Sequence, residues 1–147
     1  MVAVGRLIGA HAALTRELSA QLVANHELTL SEYEVLMLLA SAPDGVMRRV
    51  DLAHEVRLSP SGVTRMLDRL EAGGLVGKAL CDKDARVTYA QLTEAGREKL
   101  SAASKAHVAS ICTLFEEHFA DKEIDSVAQL LGKLPGVGNQ DDDCSPG

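Results

Sequence analysis

One stretch of this 147-residue chain, Ser59 to Leu92, restricts the possible folds more than any other. Leu58-Ser59-Pro60-Ser61 is a helix start. The Ser59 hydroxyl is placed to cap free backbone N–H groups, and Pro60 stands where the first helical residue needs no donor. Val63, Met66, Leu67 and Leu70 then recur at i, i+3, i+4 and i+7, which predicts one buried stripe. The opposite stripe carries Ser61, Thr64, Arg65, Asp68 and Arg69, and Gly73-Gly74 ends the helix. Leu75 to Cys81 and Val87 to Leu92 are apolar-rich runs joined by Asp82-Lys83-Asp84-Ala85-Arg86, which reads as a hairpin with a charged tip. A capped helix followed at once by such a hairpin is the order of a winged helix-turn-helix. The helix of that device can enter a major groove while the hairpin tip reaches the neighbouring minor groove.

Length and composition are compatible with one core built without staples. Aromatic residues are 3% and Trp is absent, so Leu, Val, Ala and Met must form that core, which favours helices over a large sheet. No apolar run approaches the ~20 residues that span a bilayer, so no membrane partner is expected. Met1 to Ala13 is apolar but broken by Arg6 and His11, and reads as part of a structural helix, not a secretory signal. A cytoplasmic location is expected. Cys81, Cys112 and Cys144 offer neither a disulfide framework nor a zinc pattern. Net charge is −6, which at first argues against a nucleic-acid partner. Its distribution reverses that: Pro43 to Thr93 holds eight Lys/Arg against seven Asp/Glu, while the remainder holds seven against fourteen. Phosphate binding follows local charge placement.

The rest of the chain reads as helices around this centre. About Val4 to Asn25 forms a first helix with Val4, Leu7, Ile8, His11, Leu14, Leu18 and Leu22 on one stripe. A second begins after Thr29-Leu30-Ser31, with Ser31 and Glu34 as a capping-box pattern, and runs through Tyr33, Leu36, Met37, Leu39 and Ala40 to the turn at Pro43-Asp44-Gly45. A short helix from Arg49 to Arg57 is expected to bury Val50, Leu52, Ala53 and Val56. Thr93 caps a long helix of about Glu94 to Phe119, and a last helix runs from Asp121 to Leu134. The expected fold is mainly α with a small β-hairpin wing. Residues 1–28 are an N-terminal dimerisation helix, 29–93 the winged helix-turn-helix domain, 94–135 C-terminal dimerisation helices, and 136–147 a disordered acidic tail. A homodimer is expected because one winged helix reads too few base pairs alone.

The sequence resembles the MarR family of bacterial transcriptional regulators. Four pieces carry the resemblance: Val50-Asp51-Leu52-Ala53; Ser59 through Val63-Thr64-Arg65 to Leu70; Gly74-Leu75-Val76; and Asp84-Ala85-Arg86 ahead of Leu92-Thr93-Glu94-Ala95-Gly96. The resemblance implies a dimeric regulator, read here as a repressor, with two winged helices on a pseudo-palindromic operator of double-stranded DNA. It places Ser61, Thr64, Arg65 and Arg69 on the recognition face, Arg86 as the wing arginine and Asp84 as the acid that steadies the wing. Residue chemistry agrees: Arg donates paired bonds to guanine, Ser and Thr reach phosphates or base edges, and Arg suits a narrow minor groove. Ser59, Lys83 and Arg49 complete the candidate DNA contacts, Ser59 as a cap first.

Members of the resembled family often release DNA when a small aromatic acid, drug, oxidant or metal reaches them. A small aromatic or phenolic effector is therefore expected, with His11, Met37, Leu39, Lys78 and His107 as candidate lining. The blander reading of His11 and His107 is a buried histidine satisfied by a backbone carbonyl. His107 and Cys112 lie roughly 140° apart around one helix, a poor arrangement for sharing an ion, so no metal is assigned. Cys81, beside the wing tip, keeps open a thiol-based redox reading against inert packing. An enzyme is not expected, since the chain has no Gly-rich phosphate loop, nucleophile elbow or plausible carboxylate pair, and no cofactor is assigned. The rival from another class is a winged-helix module that binds protein instead of DNA.

Overall fold

The structure, a computed structural model, describes residues 1–56, 58–81 and 84–135, with side chains described outside 80–87. Among the described residues it holds six α-helices and one three-stranded antiparallel sheet, the mainly helical class with a small wing that the sequence predicts. The chain divides into two compact units, Met1–Val108 and Ala109–Gly147.

The first unit opens with α1 (Val2–His26), which closes at Glu27 in the left-handed region (φ 52). Leu22 is the buried residue of α1, while Val4, Leu7 and Ile8 of its apolar stripe remain exposed. The next helix, α2 (Leu30–Ser41), starts two residues earlier than the sequence suggests. Its capping box uses Thr29 and Glu32 in place of Ser31 and Glu34. The Glu32 N–H donates to Thr29 Oγ1 at 3.3 Å, and Glu32 Oε2 accepts from the Thr29 N–H at 2.8 Å. Burial decides between the two overlapping patterns, because the earlier start keeps Leu28 in the core beside Tyr33, Val35, Leu36 and Leu39. Met37, expected on the buried stripe, is 44% exposed, and Val35 takes its place inside.

Pro43–Gly45 makes one tight 3₁₀ turn with Asp44 and Gly45 both at positive φ. A strand that periodicity did not reveal follows, β1 (Val46–Arg48). Then come α3 (Arg49–Glu55), α4 (Pro60–Ala72), β2 (Val76–Cys81) and β3 (Asp84–Leu92). β3 is central in the sheet, pairing antiparallel with β1 (Met47 opposite Ala90) and with β2 (Lys78 opposite Ala90). The β2–β3 ladder shifts register between Leu80 and Cys81, and Cys81 pairs with Asp84. Asp84, Ala85 and Arg86 of the expected tip therefore belong to a strand, while Asp82 and Lys83 lie outside the described residues. α3 buries Leu52, but Val50, also expected inside, is 61% exposed.

Thr93 and Gly96 fix the base of the wing. Thr93 caps α5 (Glu94–Glu116) by accepting the Gly96 N–H at 3.0 Å, and its hydroxyl donates to the Gly74 carbonyl at 2.7 Å. The Thr93 N–H also reaches the Leu75 carbonyl at 3.1 Å. Gly96 is pressed so closely on the Leu75 carbonyl that a methyl there would overlap it, and would lie 2.7 Å from Leu92 Cδ1. Gly74 turns the chain into β2 at φ +70, a conformation glycine adopts without strain.

The second unit contains the end of α5 and α6 (Asp121–Leu131). α5 stops at Glu116, short of the expected Phe119, and Phe115 and Phe119 bring their rings to 5.8 Å. Glu123 accepts the Ala120 N–H at 2.9 Å, half of a capping box that alanine cannot complete. α6 ends at Gly132, so Leu134 falls beyond it. The expected acidic tail, 136–147, lies outside the described residues.

The tight wing base gives a stability prediction. Gly96→Ala is expected to lose about 1–3 kcal/mol or more in denaturant unfolding, because the obstructing atom is backbone and cannot step aside. Thr93→Ala is expected to lose about 0.5–2 kcal/mol through its cap. Wild-type stability in Gly96→Ala would contradict the close approach.

Candidate nucleic-acid interface

The interface is built on α4, whose start is fixed by local chemistry. Ser59 adopts extended backbone (φ −64, ψ 151), and its Oγ accepts the Gly62 N–H at 3.1 Å, with Pro60 in the first turn. Val63, Met66, Leu67 and Leu70 are all buried, as their spacing predicts. The helix therefore cannot turn without exposing four apolar side chains. Ser61, Thr64, Arg65, Asp68 and Arg69 are consequently held on the exposed face.

The hydroxyls of that face differ in what they can still do. Ser59 Oγ is engaged as the cap and lies 3.2 Å from Ser61 Oγ. Thr64 Oγ1 donates to the Pro60 carbonyl at 2.9 Å, so toward a ligand it offers lone pairs. Arg65 takes part in none of the ion pairs found among the described residues. With Thr29, Ser31, Leu58, Gly62, Met66, Asp68 and Arg69 it borders an open depression where α4 meets the start of α2.

Two carboxylates that sequence reasoning passed over organise the remaining cations. Glu32 is buried, and its Oε1 pairs with Arg69 Nη2 at 2.9 Å. Glu71 is mostly buried and holds both Arg49 of α3 and Lys78 of β2, the latter at 3.0 Å. Arg49, a candidate DNA contact, is thus mostly buried in an ion pair, and its Nε is enclosed without a hydrogen-bond partner. Arg69 thus pairs across elements, with Glu32 of α2. A Thr-x-x-Glu pattern at 29–32 was the available signal for Glu32; Glu71 had none at helical spacing. Asp84 and Arg86 are placed by backbone on β3, their side chains outside the described set, and Lys83 lies outside it altogether.

The candidate effector residues are distributed differently from one another. His11 is exposed on α1, Met37 is exposed on α2, and Lys78 is taken up by Glu71. His107 packs its ring against Tyr33, centroids 5.1 Å apart, while Tyr33 Oη shares a 3.1 Å hydrogen bond with Ser104 Oγ. Its Nδ1 is buried without a partner, and burial lowers the imidazole pKa from its ordinary value. No hydrogen bond, ring contact or ion pair joins any two of these four among the described residues.

Residues 28–88, which include α4 and most of the wing, match the sequence profile of the MarR family. An HTH-type transcriptional regulator of Bacillus subtilis is 33% identical over 78 residues, which cover 53% of this chain and 46% of that protein, less than half its length. The homoprotocatechuate degradative operon repressor of Escherichia coli is 26% identical over 126 residues, covering 86% of this chain and 83% of the repressor. A MarR family regulator from Streptomyces coelicolor, solved in complex with DNA, superposes with a TM-score of 0.77 at 25% identity, over 88% of this chain and 81% of that one. The profile falls on the same helices and strands that build the exposed face, and along most of the chain the fold is the one shared by solved MarR family transcriptional regulators.

Proposed function

We propose that this chain acts as a homodimeric, sequence-specific DNA-binding repressor that places α4 of each protomer in successive major grooves of a pseudo-palindromic operator. The observation that carries this reading is the immobilised α4, with its apolar stripe buried and Ser61, Thr64, Arg65 and Arg69 exposed together. The relative solved with DNA and the relative named as an operon repressor support it. Arg65 is the residue assigned to base reading, because no carboxylate of the ion pairs above holds it. Arg86 of β3 is assigned to the minor groove from its sequence position. The local excess of cations is small, so specificity rests on few contacts, each of them consequential.

The dimer reading rests on exposed apolar side chains: Val2, Val4 and Ile8 on α1, and Leu130 with Leu134 in the second unit. A small aromatic or phenolic effector is proposed on the family resemblance alone. Of the five candidate residues, His107 has the environment best suited to it, an aromatic contact beside an unpartnered ring nitrogen.

Three outcomes are expected. Arg65→Ala should weaken binding to a selected operator duplex by about 1–3 kcal/mol in a mobility-shift titration, with unchanged melting temperature. Wild-type affinity in that variant would show that another face reads the DNA. Binding through ~6–10 phosphates should weaken by about 10³-fold or more between 50 and 200 mM salt. Light scattering at micromolar concentration should give twice the chain mass, since an obligate interface buries ~2,000 Å² or more; a monomer would sink the dimer reading.

A further inference from the structure

Glu32 does more than a helix cap requires. Capping engages one carboxylate oxygen, and Oε2 does this by accepting from the Thr29 N–H and from Thr29 Oγ1, both at 2.8 Å. The other oxygen, Oε1, points at Arg69 Nη2, 2.9 Å away on α4. The Glu32 side chain is only 8% exposed, and taking a charge out of water is costly unless its partners are fixed. Arg69 itself remains 63% exposed at its side chain. A guanidinium has five N–H donors in a rigid plane, so one held from behind leaves others directed outward.

We propose that Glu32 is a positioning residue for DNA recognition: it holds the Arg69 guanidinium in a fixed orientation, so that its open donors meet DNA already ordered. The inference rests on the reading above that α4 carries the DNA-binding face, and adds a residue from a different helix to that function. Its energetic basis is the ordering cost of a long side chain on binding, which a pre-formed ion pair removes in advance. Simple electrostatics makes the opposite forecast, because Glu32 is a negative charge near bound phosphates. Removing it should then tighten binding.

The test is a double-mutant cycle on the full chain, using a duplex that the wild-type protein selects from a randomised pool. Glu32→Gln keeps an acceptor for the Thr29 N–H, since glutamine also serves in a capping box, but abolishes the ion pair. Thermal melting checks that the fold survives. Glu32→Gln is expected to weaken binding about two- to tenfold per half-site, the equivalent of ordering one long side chain. Arg69→Gln should weaken it at least as much, and adding Glu32→Gln to Arg69→Gln should cost nothing more. Should Glu32→Gln melt too low to use, Glu32→Asp gives the same cycle, retaining the charge while shortening its reach. Equal or tighter binding by Glu32→Gln overturns the inference, as does a loss that persists in the Arg69→Gln background, which would mark Glu32 as structural only. Wild-type affinity in Arg69→Gln also overturns it, since there would be no working guanidinium to position. A wild-type protein that selects no duplex overturns the functional reading itself, and the inference with it.

Discussion

A helix that is to read DNA is useful only if it cannot rotate about its own axis, and the role proposed for α4 depends on that constraint. Val63, Met66, Leu67 and Leu70 are all buried, and each is worth about 1.5–3 kcal/mol relative to exposure. Turning α4 by a quarter of a turn would return several of them to water, a cost comparable to the whole stability of a small domain. The polar face is consequently aimed by the apolar one. The pairing of Thr93 and Gly96 with the Gly74–Leu75 backbone then ties the C-terminal end of α4, the base of the wing and the start of α5 into one unit.

Charge is arranged around this helix in a way that net charge does not reveal. Glu32 and Glu71, on two different helices, take up Arg69, Arg49 and Lys78. Glu71 joins three elements at once: α4 itself, α3 through Arg49 and β2 through Lys78. Such pairs, built on buried or mostly buried carboxylates, are weak evidence for stability, because desolvation offsets much of the Coulomb gain. Their clearer effect is geometric, since they fix the distance between the helix and its neighbours. The lysines and arginines of residues 43–93 are therefore not equivalent: some serve as internal struts, which leaves Arg65 as the cation on the α4 face outside these pairs.

The legible parts of this fold were those with redundant local signals. α4 had a serine cap, a proline at its start, a four-residue stripe and a double glycine at its end, and the structure reproduces all of them. α2 was harder because Val35 to Leu39 are five consecutive apolar residues, which leave periodicity no basis for preferring Val35 over Met37. Two overlapping Ser/Thr-x-x-Glu patterns also made its start ambiguous, and only the burial of Leu28 resolves it. β1 is three residues long, too short to display a period, and exists because β3 offers it an edge. The ion pairs were illegible for another reason: Arg49 and Glu71 are 22 positions apart and meet only after α3 packs on α4. Local spacing therefore identified the exposed face of the candidate site, and tertiary packing decided which of its cations were already engaged.

The helix that opens the chain poses a different physical problem. α1 is 25 residues long, about 37 Å at 1.5 Å per residue, yet Leu22 near its end is its buried residue. Residues 1–13 are all exposed in the single chain. Isolated helices gain little from propensity, and most helical stability in proteins comes from packing an apolar face. Gly5 and Gly9 lower that propensity further, with no neighbour within 4 Å of where a side chain would begin. Small residues at that spacing leave open backbone on the same segment that displays Val2, Val4, Leu7 and Ile8. A long helix with exposed apolar groups, two glycines and little support from its own chain is poorly stabilised by the contacts described. The proposed second protomer would supply the missing packing, making the folded length of α1 depend on protein concentration as well as on sequence.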